Sequence, residues 1–237
     1  MGADGVISAD DRDVGDRPVA IVVASGARLP AAVRAALPAN ADVVAAEGGV
    51  DAALALGLAV DLAIGDFDSV TDEGLARAVA AGALVERYPV DKDATDLELA
   101  IDAAVARGAR DVVVLASGGG RFDHLLAATG VLTRPSLAGV RVRAWFGDSC
   151  LVVITPDAPA VLHGELGDLV TLLACNGAAL GVRTDGLAYP LDGEDLLAGS
   201  SRGVSNVLSA PVAHVTITGG TLLAVLPGHP PTDWTST

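Results

Sequence analysis

The chain has 237 residues, 51% of them apolar but only 3% aromatic, and a formal net charge of −15. With 30 acidic against 15 basic side chains, nucleic-acid binding is not expected, because backbone phosphates call for clustered Lys and Arg. No apolar run reaches the roughly 18 residues of a membrane helix, and the acidic opening MGADGVISADDRDVGDR lacks the basic and apolar regions of a signal peptide, so a cytoplasmic protein without membrane contact is expected.

Residues 1–17 read as a disordered acidic leader, with structure beginning near Pro18. From there to Gly147, short apolar runs alternate with alanine-rich helical stretches. VAIVVAS (19–25), DVVAAE (42–47), VDLAIGD (60–66), DVVVLAS (111–117) and VRVRAWF (140–146) read as strands buried on both faces, with ALVERYP as a further short strand. LPAAVRAAL, TDEGLARAVAAG and ATDLELAIDAAVARG carry apolar residues at helical spacing between them. This βαβ grammar predicts an α/β domain over 18–147 built on a doubly wound, mostly parallel, Rossmann-like sheet.

After Gly147 the pattern changes to CLVVITP, AVLHGEL, DLVTLLAC, PVAHVTIT and TLLAVLP, divided by Gly, Asp, Asn and Pro. Short strands with turn signals and no ordinary helix predict a smaller all-β sandwich over 148–229, followed by a tail over 230–237. Cys150 and Cys175 have neither metal-ligand nor redox spacing and read as buried thiols.

Ligands of a doubly wound sheet bind beyond the carboxyl ends of its strands, and the marked polar residues of the first half fall there. Glu47-Gly48-Gly49 follows one strand and Gly65-Asp66-Phe67-Asp68-Ser69 the next. In an extended segment, Asp66 and Asp68 would point the same way, a pair suited to Mg²⁺ with substrate phosphates; a plain polar turn is the equal alternative. RYPVDKDATDLELA (87–100) holds the only lysine of the chain, Lys92. Thr95-x-x-Glu98 fits a capping box, and Asp91, Asp93 and Asp96 suit the positive end of a helix dipole. Neither feature uses Lys92, for which phosphate contact is the sharper reading and coincidence in a lysine-poor chain the alternative. Ser117-Gly118-Gly119-Gly120-Arg121-Phe122-Asp123-His124 offers backbone N–H groups and a guanidinium for an anion, with Asp123 as metal ligand or proton acceptor and His124 as a structural residue. These acids, Lys92, Arg121 and the glycines on one rim point to metal-assisted phosphoryl or nucleotidyl transfer, with the acceptor unnamed.

Taken together, AAEGG (45–49), GDFDS (65–69), KDATDLELA (92–100), GGGRFDH (118–124), GLAYPL (186–191) and SSRGVSN (200–206) resemble the thiamine pyrophosphokinase family in order and spacing. The resemblance implies pyrophosphoryl transfer from ATP to the hydroxyethyl oxygen of thiamine, giving thiamine diphosphate and AMP, in a homodimer. It implies Asp66, Asp68 and Asp96 as Mg²⁺ ligands, with Asp93 and Asp123 as metal-shell or hydroxyl-orienting groups. Lys92, Thr95, Arg121 and Gly118–Gly120 would contact the nucleotide phosphates, together with Glu47, Gly48 and Gly49 in the nucleotide site. Ser205 and Asn206 match the thiamine-binding pair, and Trp145, Tyr189 and Trp234 are candidates to stack on the thiazolium. Two positions depart from the family pattern: Glu47 where members usually carry Asp, and Val207 where a polar or acidic residue often follows Ser-Asn. Two alternatives are the same chemistry on a hydroxymethylpterin and a non-catalytic nucleotide or thiamine sensor; the YPL and Ser-Asn segments favour thiamine, and the full acid set favours an enzyme.

Overall fold

A computed structural model describes residues 18–24, 31–116 and 121–228. The expected leader, Gly118–Gly120 and the expected tail with Trp234 lie outside the described residues.

The short apolar runs pair as parallel strands. They are β1 (Val19–Val23), β2 (Asp42–Ala46), β3 (Leu62–Gly65), β4 (Leu84–Arg87), β5 (Asp111–Ala116) and β6 (Arg141–Phe146). Their order, β4-β3-β2-β1-β5-β6, reverses direction at β1. Alternate residues of one strand enter different cores, as the two-residue period of a strand requires. Val22, Val44, Ile64 and Val114 pack with Ile101 and Leu132, from α4 (Asp96–Ala106) and α5 (Phe122–Thr133). Ile21, Val43, Ala63 and Leu115 pack with Val33, Val50 and Ala78, from α1 (Ala31–Ala36), α2 (Gly49–Ala55) and α3 (Asp72–Ala80). Each fully buried Ile or Leu contributes about 1.5–3 kcal/mol relative to exposure. α2 and α5 are additional to the three helices expected. Thr71 and Thr95 start α3 and α4, each accepting the N–H three residues on through its side chain.

The expected boundary near Gly147 falls at a hairpin turn. Gly147 has φ +65°, and β6 turns directly into antiparallel β7 (Ser149–Ile154). The sheet then runs on through β13 (Gly219–Pro227), β9 (Leu169–Asp185), β12 (Val212–Thr216) and β8 (Ala160–His163). The β-rich half nevertheless has its own core, including Ile154, Leu172, Val182, Leu208, Val215 and Leu222. β9 is 17 residues long, past the expected end at Cys175. Asn176 (φ +58°) and Gly177 (φ +130°) form an irregularity within the strand, since turn-favouring residues also serve bulges. β9 pairs β13 on both sides of the irregularity, mainly before it, and β10 (Asp192–Leu196) and β12 after it; β11 (Asn206–Val207) pairs its start.

Both cysteines are free, and burial pushes the Cys150 thiol up to about 12. No helix among the described residues is long and apolar enough to cross a membrane.

Candidate active site

The carboxyl ends of β1, β2, β5 and β6 surround a cleft of about 400 Å³, at the point where the strand order reverses. Ala24, Ala46, Glu47, Asp68, Ser69, Thr95, Asp96, Arg121, His124 and Phe146 are among its lining residues.

Glu47 follows β2 in a left-handed conformation (φ +53°) and is only 6% exposed. Its Oε1 accepts the N–H of Phe67 at 2.8 Å, and its Oε2 accepts the hydroxyl of Ser69 at 3.2 Å. The added methylene relative to aspartate therefore carries the carboxylate under the GDFDS turn. Gly65 makes this possible: a Cβ there would lie 2.0 Å from Glu47 Oε1, and its φ of +139° disfavours any side chain. The turn is not extended, as the alternation of its residues suggested. Phe67 has φ +65°, a conformation costing about 1–3 kcal/mol for a non-glycine residue, and its ring faces the Arg87 guanidinium at 4.9 Å. The kinked turn still brings Asp66 and Asp68 together: oxygens of Glu47, Asp66 and Asp68 lie within 4.8 Å of one another.

Asp96 approaches from the first turn of α4, fixed by the Thr95 cap. Only half of the expected capping box forms, because the Glu98 carboxylate pairs with Arg134 at 2.8 Å instead of reaching back. Lys92 lies between two of the acids, with Nζ 2.9 Å from Asp66 Oδ2 and 3.2 Å from Asp96 Oδ1, and its side chain is 12% exposed. The bond from Lys92 holds the Asp66 carboxyl below its usual range. Burial alone would lower the Lys92 ammonium, but the contacts with Asp66 and Asp96 outweigh it and raise it. Asp96 Oδ1 is buried, and its contact with Lys92 is not aligned as a hydrogen bond. A buried acceptor in this state, beside an all-oxygen set, fits a hard divalent cation.

Arg121 and Asp123 form an exposed fork at the start of α5, with Nε to Oδ1 at 3.2 Å and Nη2 to Oδ2 at 2.6 Å. Arg121 lines the cleft, and its guanidinium holds the Asp123 carboxyl below the usual range. Asp93 is exposed and stands apart from the three-acid group.

Several expected roles change. Gly48 donates its N–H to Ser69 Oγ at 3.2 Å, and a Cβ at Gly49 would lie 2.0 Å from the Val23 carbonyl oxygen. These two glycines close helix α2 onto β1 and lock the turn. Trp145 is 3% exposed in the core and is not available to stack on a ligand; Tyr189 is 62% exposed. Asn206 is 5% exposed and its amide is engaged with main chain. Its Oδ1 accepts from Tyr189 N and Val207 N at 3.0 and 2.9 Å, and its Nδ2 donates to Tyr189 O at 2.7 Å. It clamps the GLAYPL segment, while Ser205 beside it is exposed with φ +59°. No residue of 186–207 is among those lining the cleft. Ser69 and Gly65 escape sequence reasoning as site residues; the signal available was their place flanking the paired aspartates.

Two family models match the chain: "thiamin pyrophosphokinase, catalytic domain" over residues 35–144 and "thiamin pyrophosphokinase, vitamin B1 binding domain" over 160–222. The thiamine pyrophosphokinase of Bacillus subtilis (strain 168) is 26% identical over 146 residues, covering 62% of this chain and 68% of that protein. The crystal structure of thiamine pyrophosphokinase from Bacillus subtilis superposes with a TM-score of 0.77 at 22% identity, covering 89% of this chain and 99% of that one. The corresponding values for thiamin pyrophosphokinase from Geobacillus thermodenitrificans are 0.72, 24%, 89% and 98%. For the enzyme from Candida albicans they are 0.72, 13%, 89% and 89%. At these identities the structural likeness is one of fold.

Proposed function

We infer, because the chain belongs to the thiamin pyrophosphokinase family through both of its halves, that it transfers a pyrophosphoryl group from ATP to thiamine, giving thiamine diphosphate and AMP. The observation that carries this reading is the group of carboxylates at the cleft, Glu47, Asp66 and Asp68, with Asp96, Lys92 and Arg121 beside it. Asp66, Asp68 and Asp96 would hold Mg²⁺, while Glu47 is committed to the turn through Phe67 and Ser69. When bound, the cation offsets the charge of the polyphosphate and the charge developing on the leaving oxygen.

The protein's own groups position the reactants. Lys92, Thr95 and Arg121 are the donors for the ATP tail, and Asp123 keeps Arg121 oriented toward it. The hydroxyethyl oxygen of thiamine forms a bond to the β-phosphorus, and its proton leaves to water. The bond from that phosphorus to the α–β bridging oxygen breaks, and its electron pair departs with AMP. The acidic cleft also favours the cationic thiazolium.

A doubly wound, Rossmann-like description of the first half is supported by the reversal at β1 and by helices divided between two cores. Domain limits of 18–147 and 148–229 are supported by the two family models, which end and begin on either side of 145–159. A homodimer is supported by Phe122 and Leu126, one turn apart on α5 and 71% and 57% exposed beside the cleft, and by Tyr189 and Leu197, 62% and 63% exposed in the other half. Asn206 serves the acceptor site indirectly by shaping 187–189, and Ser205 remains the direct donor. Offering thiamine and a hydroxymethylpterin together with ATP and Mg²⁺ tests the acceptor: diphosphorylated thiamine alone is expected, and a diphosphorylated pterin alone would overturn the assignment.

A further inference from the structure

We infer that Lys92 and the divalent cation exchange on the same carboxylates: the ammonium spanning Asp66 and Asp96 is released when the cation is bound and turns to the polyphosphate. The inference rests on the reading of Asp66, Asp68 and Asp96 as the cation's ligands. Lys92 Nζ stands 2.9 Å from Asp66 Oδ2 and 3.2 Å from Asp96 Oδ1, so it claims two of those three groups. Two cations on one carboxylate pair repel each other strongly in a poorly solvated site. The carboxylates are the fixed partners. Asp66 Oδ1 accepts the N–H of Asp68 at 3.3 Å, in a turn that Glu47 pins, and Asp96 belongs to a capped helix. Lys92 sits in the irregular segment between β4 and α4, on a flexible four-carbon stem, and is the group free to move. Thr95, Asp96 and Arg121 line the cleft next to it, so a short swing delivers the ammonium to phosphate oxygens. Without any cation, four clustered acids would repel one another; Lys92 keeps them assembled until the cation arrives.

Because Lys92 is the only lysine, a neutral amine reagent has two targets in the chain, its ε-amine and the α-amino group. Acetylation by limiting acetic anhydride, with the α-amino group as internal standard, reads the release directly. Saturating Mg²⁺ alone should raise the relative rate at Lys92 about tenfold, and adding ATP should return it to the starting value or below. In parallel, Mn²⁺ binding followed by electron paramagnetic resonance should tighten about tenfold in Lys92→Met without nucleotide and weaken in the presence of ATP. Asp66→Asn serves as the control. If it binds Mn²⁺ as the native protein does, the ligand assignment fails and the exchange with it. If Asp66→Asn loses Mn²⁺ but Lys92 labelling in the native protein does not respond to Mg²⁺, the exchange alone is overturned.

Discussion

Glu47 Oε1 accepts the main-chain N–H of Phe67 at 2.8 Å, and both residues hold left-handed backbone angles, +53° and +65°. Two costly conformations from different strand ends thus secure each other, and the product is the kinked turn that presents Asp66 and Asp68. Glu47→Ala removes the partners of Phe67 N–H and Ser69 Oγ at once. Displacing Asp66 and Asp68 by a fraction of an ångström to an ångström should lower kcat/KM about a hundredfold. Steady-state kinetics at saturating Mg²⁺ checks this, and a change under threefold would remove Glu47 from the positioning role.

Gly65 is the counterpart of that contact. In Gly65→Ala the new methyl group would overlap Glu47 Oε1, at a backbone angle unsuited to any side chain. A loss of about 1–3 kcal/mol in unfolding free energy is expected from denaturant titration. Turnover should fall further than the remaining folded fraction accounts for.

Asn206→Ala separates an architectural residue from a ligand contact. The side chain is buried and serves three main-chain groups, of Tyr189 and Val207. Its removal should cost about 2 kcal/mol, since each buried polar group left unpaired costs about 1–3 kcal/mol. A raised thiamine KM should accompany the loss as the 187–189 segment loosens. A raised KM with unchanged stability would instead assign the amide to the substrate.

The Lys92–Asp66 pair makes a pH prediction with a definite sign. The Asp66 carboxyl is held below its ordinary value of 3.8 by the bond from Lys92. A depressed folded pKa means the pair's contribution to stability is fully present above pH 3.8 and is lost as pH falls through the lower folded value. Acid unfolding of Lys92→Met should therefore converge with that of the native protein at the acid end and diverge from it above that range. Curves that differ by a constant amount at every pH would contradict the assignment.

The parallel strands are legible because each is a brief apolar run closed by turn residues, and Asp66, Asp68, Asp96 and Arg121 are legible through their spacing at strand and helix ends. The Thr95 cap is legible too, whereas the partner of Glu98 is not: Arg134 lies 36 residues away and no local pattern announces it. Phe67 gives no sign of its left-handed backbone, because that angle is imposed by Glu47 from another strand. Asn206 gives no sign in the sequence that its amide is buried and bonded to main chain, because its partner Tyr189 lies 17 residues away. Asn176-Gly177 reads as the end of a strand, although the same residue types also bend a strand that continues.

Pyrophosphoryl transfer is tested most directly by incubating the protein with ATP, Mg²⁺ and thiamine and separating the products by chromatography. Thiamine diphosphate and AMP should accumulate in equal amounts, with no thiamine monophosphate intermediate. Formation of ADP with thiamine monophosphate, or no nucleotide turnover at all, would contradict it.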